Sequence, residues 1–244
     1  MMKRLHALAV LLALSLARPL PAADKKACAG ITEPVFDVSL SMAVPGIVAS
    51  RRVKEGDFVR AGDVILELDQ RLEELEVDRR RAVVDNRKAD WESTKTVFEK
   101  SSSVSRDELL KKEADYKVAE TEYQMAVEQL RRRELIAPGA GVITELHVRA
   151  GEACTAYQPI VRLVDTRRCF FISDIDANLS AGLKTGQTVE LEIDDAGTPV
   201  KVSGSIVFLS PVVDSASGLQ KVKVVFDNTD GQVRPGLAGK LLLK

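Results

Sequence analysis

Histidines and aromatic residues are scarce in this chain, and its charges almost cancel. The 244 residues include two histidines and 5% aromatics, and the formal net charge is -1. His147 is the only histidine beyond the extreme N-terminus, so it has no second histidine with which to form an acid–base pair or a metal cluster. A nearly neutral chain also lacks the positive field that attracts a polyanion. These absences argue against an enzyme, a metal or cofactor site, and nucleic-acid binding.

No hydrophobic run is long enough to span a membrane. The longest one, Ala7–Ala17, has eleven residues and follows the basic pair Lys3 and Arg4. A spanning helix needs about 20 apolar residues, so a cleaved signal peptide over residues 1–23 is favoured over an uncleaved anchor. This predicts export to the periplasm.

Cysteines number three: Cys28, Cys154 and Cys169. Their spacing matches no metal motif, and an odd number cannot all pair within the chain. Two alternatives stay open for an exported protein, a Cys154–Cys169 disulfide or buried single thiols.

A repeat at an offset of 95 residues is the most informative pattern. The matching positions are Gly46 with Gly141, Val53 with Val148, Gly56 with Gly151, and Leu68 with Leu163. Short apolar runs with glycine turns at matching positions indicate two similar hairpin units. Neither unit can bury its apolar face alone, so residues 44–69 and 136–164 are predicted to form one small β sandwich.

Residues 70–135 separate the two copies and have a different composition. Gln70 to Glu134 contains no proline and no glycine and is rich in helix-forming residues. Serines 101–103 interrupt it, and Ser105 with Glu108 forms a capping-box pattern flanked by Val104 and Leu109. The segment is therefore predicted to be an antiparallel α-helical hairpin.

Seven-residue spacings place two kinds of row on the first helix. One row contains Leu75, Ala82 and Ala89, and another contains Trp91 and Phe98. One row is expected to pair the two helices and the other to meet a neighbouring copy. Trp91 is the candidate for the contact between copies.

Residues 165–244 alternate apolar and polar positions between glycine turns, as in Val189–Ile193. This pattern predicts a small antiparallel β-barrel. Val35–Leu40, within the N-terminal segment 24–43, is expected to add a strand to it, and Ala177–Leu183 is expected to form a short helix. The predicted fold class is α+β, mainly β: a split lipoyl-like sandwich with an inserted helical hairpin, followed by a barrel.

This order of motifs resembles a known family. The first half carries Gly46, Val53-Lys54-Glu55-Gly56-Asp57, Gly62-Asp63 and Leu68-Asp69; the second carries Ala137-Pro138, Gly141, Gly151 and Val161; the end carries Asn228, Asp230-Gly231 and Val233–Leu237. Over roughly residues 35–244 the chain resembles the HlyD-type membrane fusion proteins, and more closely the periplasmic adaptors of RND efflux pumps.

The resemblance implies an adaptor that bridges an inner-membrane transporter and an outer-membrane channel in a Gram-negative envelope, assembled as a ring, often of six copies. It also implies a hairpin tip that binds the channel through an Arg, a Leu and a Ser. The corresponding positions here are Thr94, Phe98 and Ser105, with Val104 beside them, and Thr94 departs from the family's arginine.

The adaptors also have a membrane-proximal domain, for which too little sequence is expected to remain here. A short adaptor would then contact its transporter through the barrel. An ABC-type transporter is the alternative to an RND partner. A secreted coiled-coil scaffold and a lipoyl-type carrier domain are the alternatives outside transport, although no lysine lies in a tight turn between the two half-motifs.

Overall fold

The computed structural model describes residues 26–101, 103–195 and 197–243. The predicted signal peptide, residues 1–23, lies outside this range. The chain divides into two compact units. One consists of Pro34–Cys169 with Asn228–Gly231, and the other of Phe170–Asp227 and Gln232–Lys244 with the residues up to Glu33.

Strands predominate, and two long helices follow one another near the middle of the chain. The strands are β1 Lys26–Ser41, β2 Gly46–Arg51, β3 Phe58–Val59, β4 Val64–Leu68, β5 Glu134–Ile136, β6 Gly141–Leu146, β7 Ala153–Cys154, β8 Pro159–Asp176, β9 Thr188–Asp195, β10 Thr198–Leu209, β11 Leu219–Asp227 and β12 Ala238–Leu243. The helices are α1 Arg71–Ser101, α2 Arg106–Arg131 and the short α3 Ala177–Ser180. The predicted fold class is confirmed.

The first unit contains a sandwich formed by both copies of the repeat. A four-stranded sheet in the order β5-β4-β2-β7 packs with β3, β6 and the beginning of β8. One cluster of buried side chains includes residues of both copies, namely Val48, Val59, Ile65, Leu66, Leu68, Ile143, Val148, Cys154, Ile160, Val161 and Leu163. The two half-motifs therefore share one core, as predicted.

Reciprocal backbone hydrogen bonds interlock the two halves. The N–H of Gly56 donates to the carbonyl oxygen of Ile143 at 2.8 Å, and the N–H of Gly151 donates to that of Val48, also at 2.8 Å. These two bonds are equivalent under the offset of 95 residues. Because each half uses the other half's backbone to satisfy its own turn, neither half could fold this way alone.

Tyr157 departs from this symmetry in its side chain but not in its backbone. In the second copy of the repeat it corresponds to Gly62 of the first copy. The two residues make equivalent backbone bonds: the N–H of Gly62 donates to the carbonyl oxygen of Ala137 at 2.9 Å, and the N–H of Tyr157 donates to that of Met42 at 2.8 Å. Tyr157 is the non-glycine residue with a positive φ, 62°, in the described part of the chain, and its side chain is 78% exposed. An L residue in this region costs about 1 to 2 kcal/mol relative to glycine.

Tyr157→Gly is therefore expected to keep or raise the free energy of unfolding, by up to about 1 kcal/mol, since relief of strain exceeds the extra entropy of the unfolded chain. The matched exchange Gly62→Tyr should lower it. Chemical denaturation of both variants tests this. A loss of stability in Tyr157→Gly would mean that the exposed ring stabilises the fold.

The two long helices pack along the row that contains Trp91, which corrects the sequence interpretation. The Trp91 ring stacks on Tyr116 of α2, with centroids 5.4 Å apart and planes inclined by 4°. Val77 is buried in the same row, whereas Ala82 and Ala89 are exposed. The larger side chains face α2 because they bury more apolar area than alanine can. On α2, Ala119 and Ala126 are buried in the seam.

The second unit contains an antiparallel barrel of six strands. Their order is β1-β12-β9-β10-β11-β8, and an additional pairing of β1 with β8 closes the ring. The N-terminal strand enters the barrel earlier than predicted, because Lys26 to Ile31 pair with β12. The expected barrel strand Val35–Leu40 instead contributes Phe36, Val38 and Leu40 to the sandwich core. A single continuous strand therefore supplies both units.

The three cysteines are free thiols. Cys154 and Cys169 are buried, in keeping with the second of the two alternatives left open by the sequence. Burial raises the pKa of the Cys169 thiol to about 11, against a smaller lowering by its hydrogen bond with Asn228. A thiol that stays protonated at neutral pH is a poor nucleophile.

Candidate partner-binding site

The base of the hairpin is fixed to the sandwich by one arginine. Arg133 follows α2, and its guanidinium donates to Glu73 Oε1 of α1 at 2.5 Å and to the carbonyl oxygen of Pro45 at 3.2 Å. Its own carbonyl accepts from the N–H of Leu68 at 2.8 Å. Both ends of the hairpin are thus tied to the same place, which orients the two helices as one rod.

The tip combines an uncharged turn with apolar side chains. Ser101 is the last residue of α1, and Ser103, Val104 and Ser105 lie between it and the start of α2. Phe98 and Val104 are half-buried, while Val97 and Leu110 are exposed at 40% and 52%. Exposed apolar groups around an uncharged turn are typical of a surface that another protein covers.

The structure places Thr94, Phe98, Val104 and Ser105 at this end of the hairpin. The Thr94 hydroxyl donates to the carbonyl oxygen of Asp90 at 2.8 Å, one turn earlier in the helix. Ser105 is the N-cap of α2, and its hydroxyl oxygen accepts from the N–H of Glu108 at 3.1 Å. The predicted cap is confirmed. Both hydroxyls already have partners within the hairpin, so the partly uncovered apolar side chains of Phe98 and Val104 are the candidate contacts of the tip.

Ser105→Ala is expected to lower the free energy of unfolding by about 1 kcal/mol, because the N–H of Glu108 loses its acceptor. Ser105→Asp should keep most of that stability, since aspartate also caps a helix and suits its positive end. Urea denaturation of both variants checks the prediction. Equal stability of the alanine variant and the unsubstituted protein would contradict it.

Sequence reasoning missed Val97 and Leu110 as part of the tip. Each is the neighbour of a residue that was identified, Phe98 in one case and Leu109 in the other. Such pairs of adjacent apolar residues could have indicated the exposed positions from the sequence, because only one member of a pair can face the partner helix.

Other kinds of site find little support in the described ranges. They contain no group of three or more His, Cys, Asp or Glu side chains placed to hold a metal ion. His147 is exposed, and its Nε2 lies 3.2 Å from Glu145 Oε2. Among the helices described, none is both long and apolar enough to cross a membrane.

A sandwich of two interlocked half-motifs, interrupted by a helical hairpin and followed by a six-stranded barrel, is the fold of membrane fusion proteins. A solved structure with this fold is the MacA–MexA chimeric protein containing the Pseudomonas aeruginosa MexA α-hairpin domain. It superposes with a TM-score of 0.77 over 90% of this chain and 81% of its own, at 19% identity.

The model of the family "RND MFP, barrel-sandwich hybrid domain" matches residues 37–166, more than half of the chain. The chain belongs to this family of RND membrane fusion proteins. It is 23% identical over 222 residues to the nodulation protein NolF of Rhizobium meliloti, covering 85% of this chain and 60% of NolF. It is likewise 23% identical over 234 residues to the multidrug resistance protein MdtE of Escherichia coli K12, covering 85% of this chain and 61% of MdtE. The chain thus spans about three fifths of the length of these two relatives.

Proposed function

We propose that the protein is a periplasmic adaptor of a tripartite efflux pump. In this role the hairpin tip binds an outer-membrane channel and the barrel unit binds an inner-membrane transporter of the RND class. Copies of the chain associate side by side, in a ring of six. The adaptor couples its partners and carries out no reaction.

The observation that carries this proposal is the hairpin tip itself. A rod anchored through Arg133 presents Phe98, Val104 and Leu110 next to an uncharged turn, where the hairpin alone leaves them partly uncovered. Family membership supports the same role, because the matched region includes the whole hairpin. The relatives' names, multidrug resistance for MdtE and nodulation for NolF, favour transport without naming a substrate for this chain.

The tip contact would be largely apolar, with Phe98 and Val104 as anchors. Thr94 and Ser105 would lie at its edge, since their hydroxyls already bond within the hairpin. Burial of one phenylalanine side chain at such a contact contributes on the order of 2 kcal/mol to the free energy of binding. A partner channel should therefore offer an apolar groove rather than a cluster of acids.

Site-specific photo-crosslinking in the native host tests the proposal. A photoreactive residue at Phe98 is expected to capture an outer-membrane channel. The matched control is Leu72, which is 78% exposed at the opposite end of the same helix, 26 residues and about 39 Å away. Leu72 should capture no outer-membrane protein. Capture of the same channel from both positions, or of none from Phe98, would refute the proposed tip contact.

A further inference from the structure

The connection between β10 and β11 gathers most of the exposed apolar surface of the barrel unit. Among the residues described in that unit, five large apolar side chains are exposed, and one of them is Ile31 on β1. The other four belong to this connection and the end of β10, namely Val207, Phe208, Val212 and Val213. Single exposed apolar residues are ordinary, whereas a group of them indicates a surface that another molecule covers.

A bulge near the end of β10 turns two neighbouring apolar side chains outward. Ile206 pairs with Val224 and Phe208 pairs with Lys223, so Val207 is an extra residue in β10. In a regular strand only every second side chain would face away from the core, and a bulge changes that alternation. Ile206 is fully buried, whereas Val207 and Phe208 are each 42% exposed.

Hydrogen bonds hold residues 210–218, the barrel loop, in one conformation. The hydroxyl of Ser210 donates to the carbonyl oxygen of Val212 at 2.7 Å. The side chain of Gln220 donates to the carbonyl oxygen of Ser210 and accepts from the hydroxyl of Ser180 in α3. A loop that is ordered before it binds loses little conformational entropy on binding.

The acid of the barrel loop is bonded within the loop itself. Asp214 Oδ1 accepts from the hydroxyl and the N–H of Ser217, both at 2.8 Å, and from the N–H of Ala216 at 3.1 Å. These bonds, above all the one from the Ser217 hydroxyl, lower the pKa of Asp214. The stretch before it, Pro211 to Val213, is uncharged and exposed, and Val212 is 70% exposed.

Two lysines lie behind this apolar stretch. Lys223 pairs across the strands with Phe208, and its ammonium lies 5.8 Å from the centre of the Phe170 ring. Lys221 is exposed two residues nearer the loop, on a surface that it shares with Asp174. Apolar side chains at the front, with aromatic rings and lysines behind them, match the layers of a membrane surface, where a lysine covers apolar groups with its stem and reaches the headgroups with its ammonium.

The opposite end of β10 has a different character. Asp194 and Asp195 precede the turn into β10, and no large apolar side chain is exposed there among the residues described. An anionic bilayer would repel this end and attract the lysines near the barrel loop. The distribution of charge along β10 therefore favours one orientation at a phospholipid surface.

We infer that the barrel loop inserts into the periplasmic face of the inner membrane, with Pro211, Val212 and Val213 among the lipids and Lys221 and Lys223 at their phosphate groups. The inference goes beyond the proposed function and takes from it only the choice of membrane. One such loop buries little apolar area, so the attachment of a single chain is weak and reversible. Several associated copies would bind far more tightly, because their loops act together.

The shape and composition of the barrel loop favour lipid over a protein partner. Every residue from 211 to 218 is exposed, so the loop protrudes and offers no groove for a partner's side chain. Strong protein contacts are rich in Trp, Tyr and Arg, whereas valine is under-represented in them. Valine and proline at the most exposed positions suit a fluid apolar environment, which needs no matching shape.

Flotation with vesicles of phosphatidylethanolamine and phosphatidylglycerol tests the inference on the chain purified from the periplasm. The unsubstituted chain is expected to float with the vesicles. Val212→Asp should weaken the binding about tenfold or more, because a carboxylate is costly to bury among lipids. Lys221→Gln should weaken it about fivefold at low salt and less at high salt.

The matched control is Leu72→Asp, because Leu72 is 78% exposed and lies in the α-helical hairpin. This variant should float like the unsubstituted chain. Val212→Asp should keep the unsubstituted thermal midpoint, since the bonds between Val212 and Ser210 use only backbone atoms of the valine. Equal flotation of Val212→Asp and the unsubstituted chain, or no flotation of either, would overturn the inference.

A photoreactive residue at Val212 identifies the molecule that covers the barrel loop in the native host. The expected adduct joins this chain to a phospholipid and is recovered with the inner membrane after the two membranes are separated. Capture of an inner-membrane transporter in place of lipid would overturn the inference and support the proposed function. A lipid adduct from Val212, together with no channel captured from Phe98, would support the inference and count against the adaptor role.

Discussion

Shortening Leu68 or Leu163 to alanine is expected to lower the free energy of unfolding by about 3 kcal/mol in each case. Both side chains are fully buried and occupy equivalent positions in the repeat. Each also packs on a glycine of its own half: a Cβ on Gly46 would lie 2.9 Å from Leu68 Cδ1, and one on Gly141 would lie 3.0 Å from Leu163 Cδ1. The glycines add no side chain that could fill the resulting cavities.

Urea denaturation measures both losses, and Leu72→Ala is the control. Leu72 is 78% exposed, so its truncation should change the free energy by less than about 0.5 kcal/mol. Because the two leucines belong to one cluster, the double variant should deviate from the sum of the single effects. Two separate unfolding transitions for the two half-motifs would contradict a shared core.

Phe171→Ala is expected to cost about 3 to 5 kcal/mol in the barrel. The ring is fully buried and covers two glycines, Gly30 and Gly239, which face each other in the β1–β12 pair. A Cβ on Gly30 would lie 2.6 Å from the ring, and one on Gly239 would lie 3.2 Å from it. The glycines leave room for the phenylalanine, so its loss opens a cavity that the backbone cannot close.

Thermal unfolding of the purified chain checks this second prediction. The control is Phe208→Ala in the same barrel, because Phe208 is 42% exposed and should cost much less. A small effect of Phe171→Ala, similar to that of Phe208→Ala, would show that Phe171 does not organise the barrel.

Local patterns predicted much of this fold. The repeat of glycine turns indicated two equivalent hairpins, and the composition of residues 70–135 indicated helices interrupted at the serines. Ser105 was recognisable as a cap because capping depends on a few neighbouring residues. The sequence did not reveal that Gly56 and Gly151 bond across to the opposite half, because such pairing depends on tertiary packing and has no local signature.

The two errors have related physical causes. Trp91 was assigned to the wrong side of α1 because two rows share the seven-residue spacing, and the choice between them depends on side-chain volume rather than on period. Val35–Leu40 was assigned to the barrel because its alternating pattern fits any half-buried strand. The structure uses that alternation to cover the sandwich core, and the barrel takes the preceding residues of the same strand.

The contact residues of the tip were located through resemblance, and the row of Leu75, Ala82 and Ala89 was recognised by its spacing but not assigned to the outer side of α1. Exposed alanines such as Ala82 and Ala89 resemble ordinary helix-forming residues, so nothing in their identity marks a surface. Which of the two rows on α1 faces α2 depends on side-chain packing, which only the folded hairpin shows.

The central claim is that one chain links a transporter in the inner membrane to a channel in the outer membrane. Its most direct test is a chain that carries photoreactive residues at Phe98 in the hairpin tip and at Leu183, a half-buried residue of the barrel unit three positions after α3. The chain is crosslinked in the native host and purified under denaturing conditions. The account predicts adducts in which this chain is joined to an outer-membrane channel and an inner-membrane transporter at once. Adducts that contain only further copies of the chain, or proteins of one membrane alone, would contradict it.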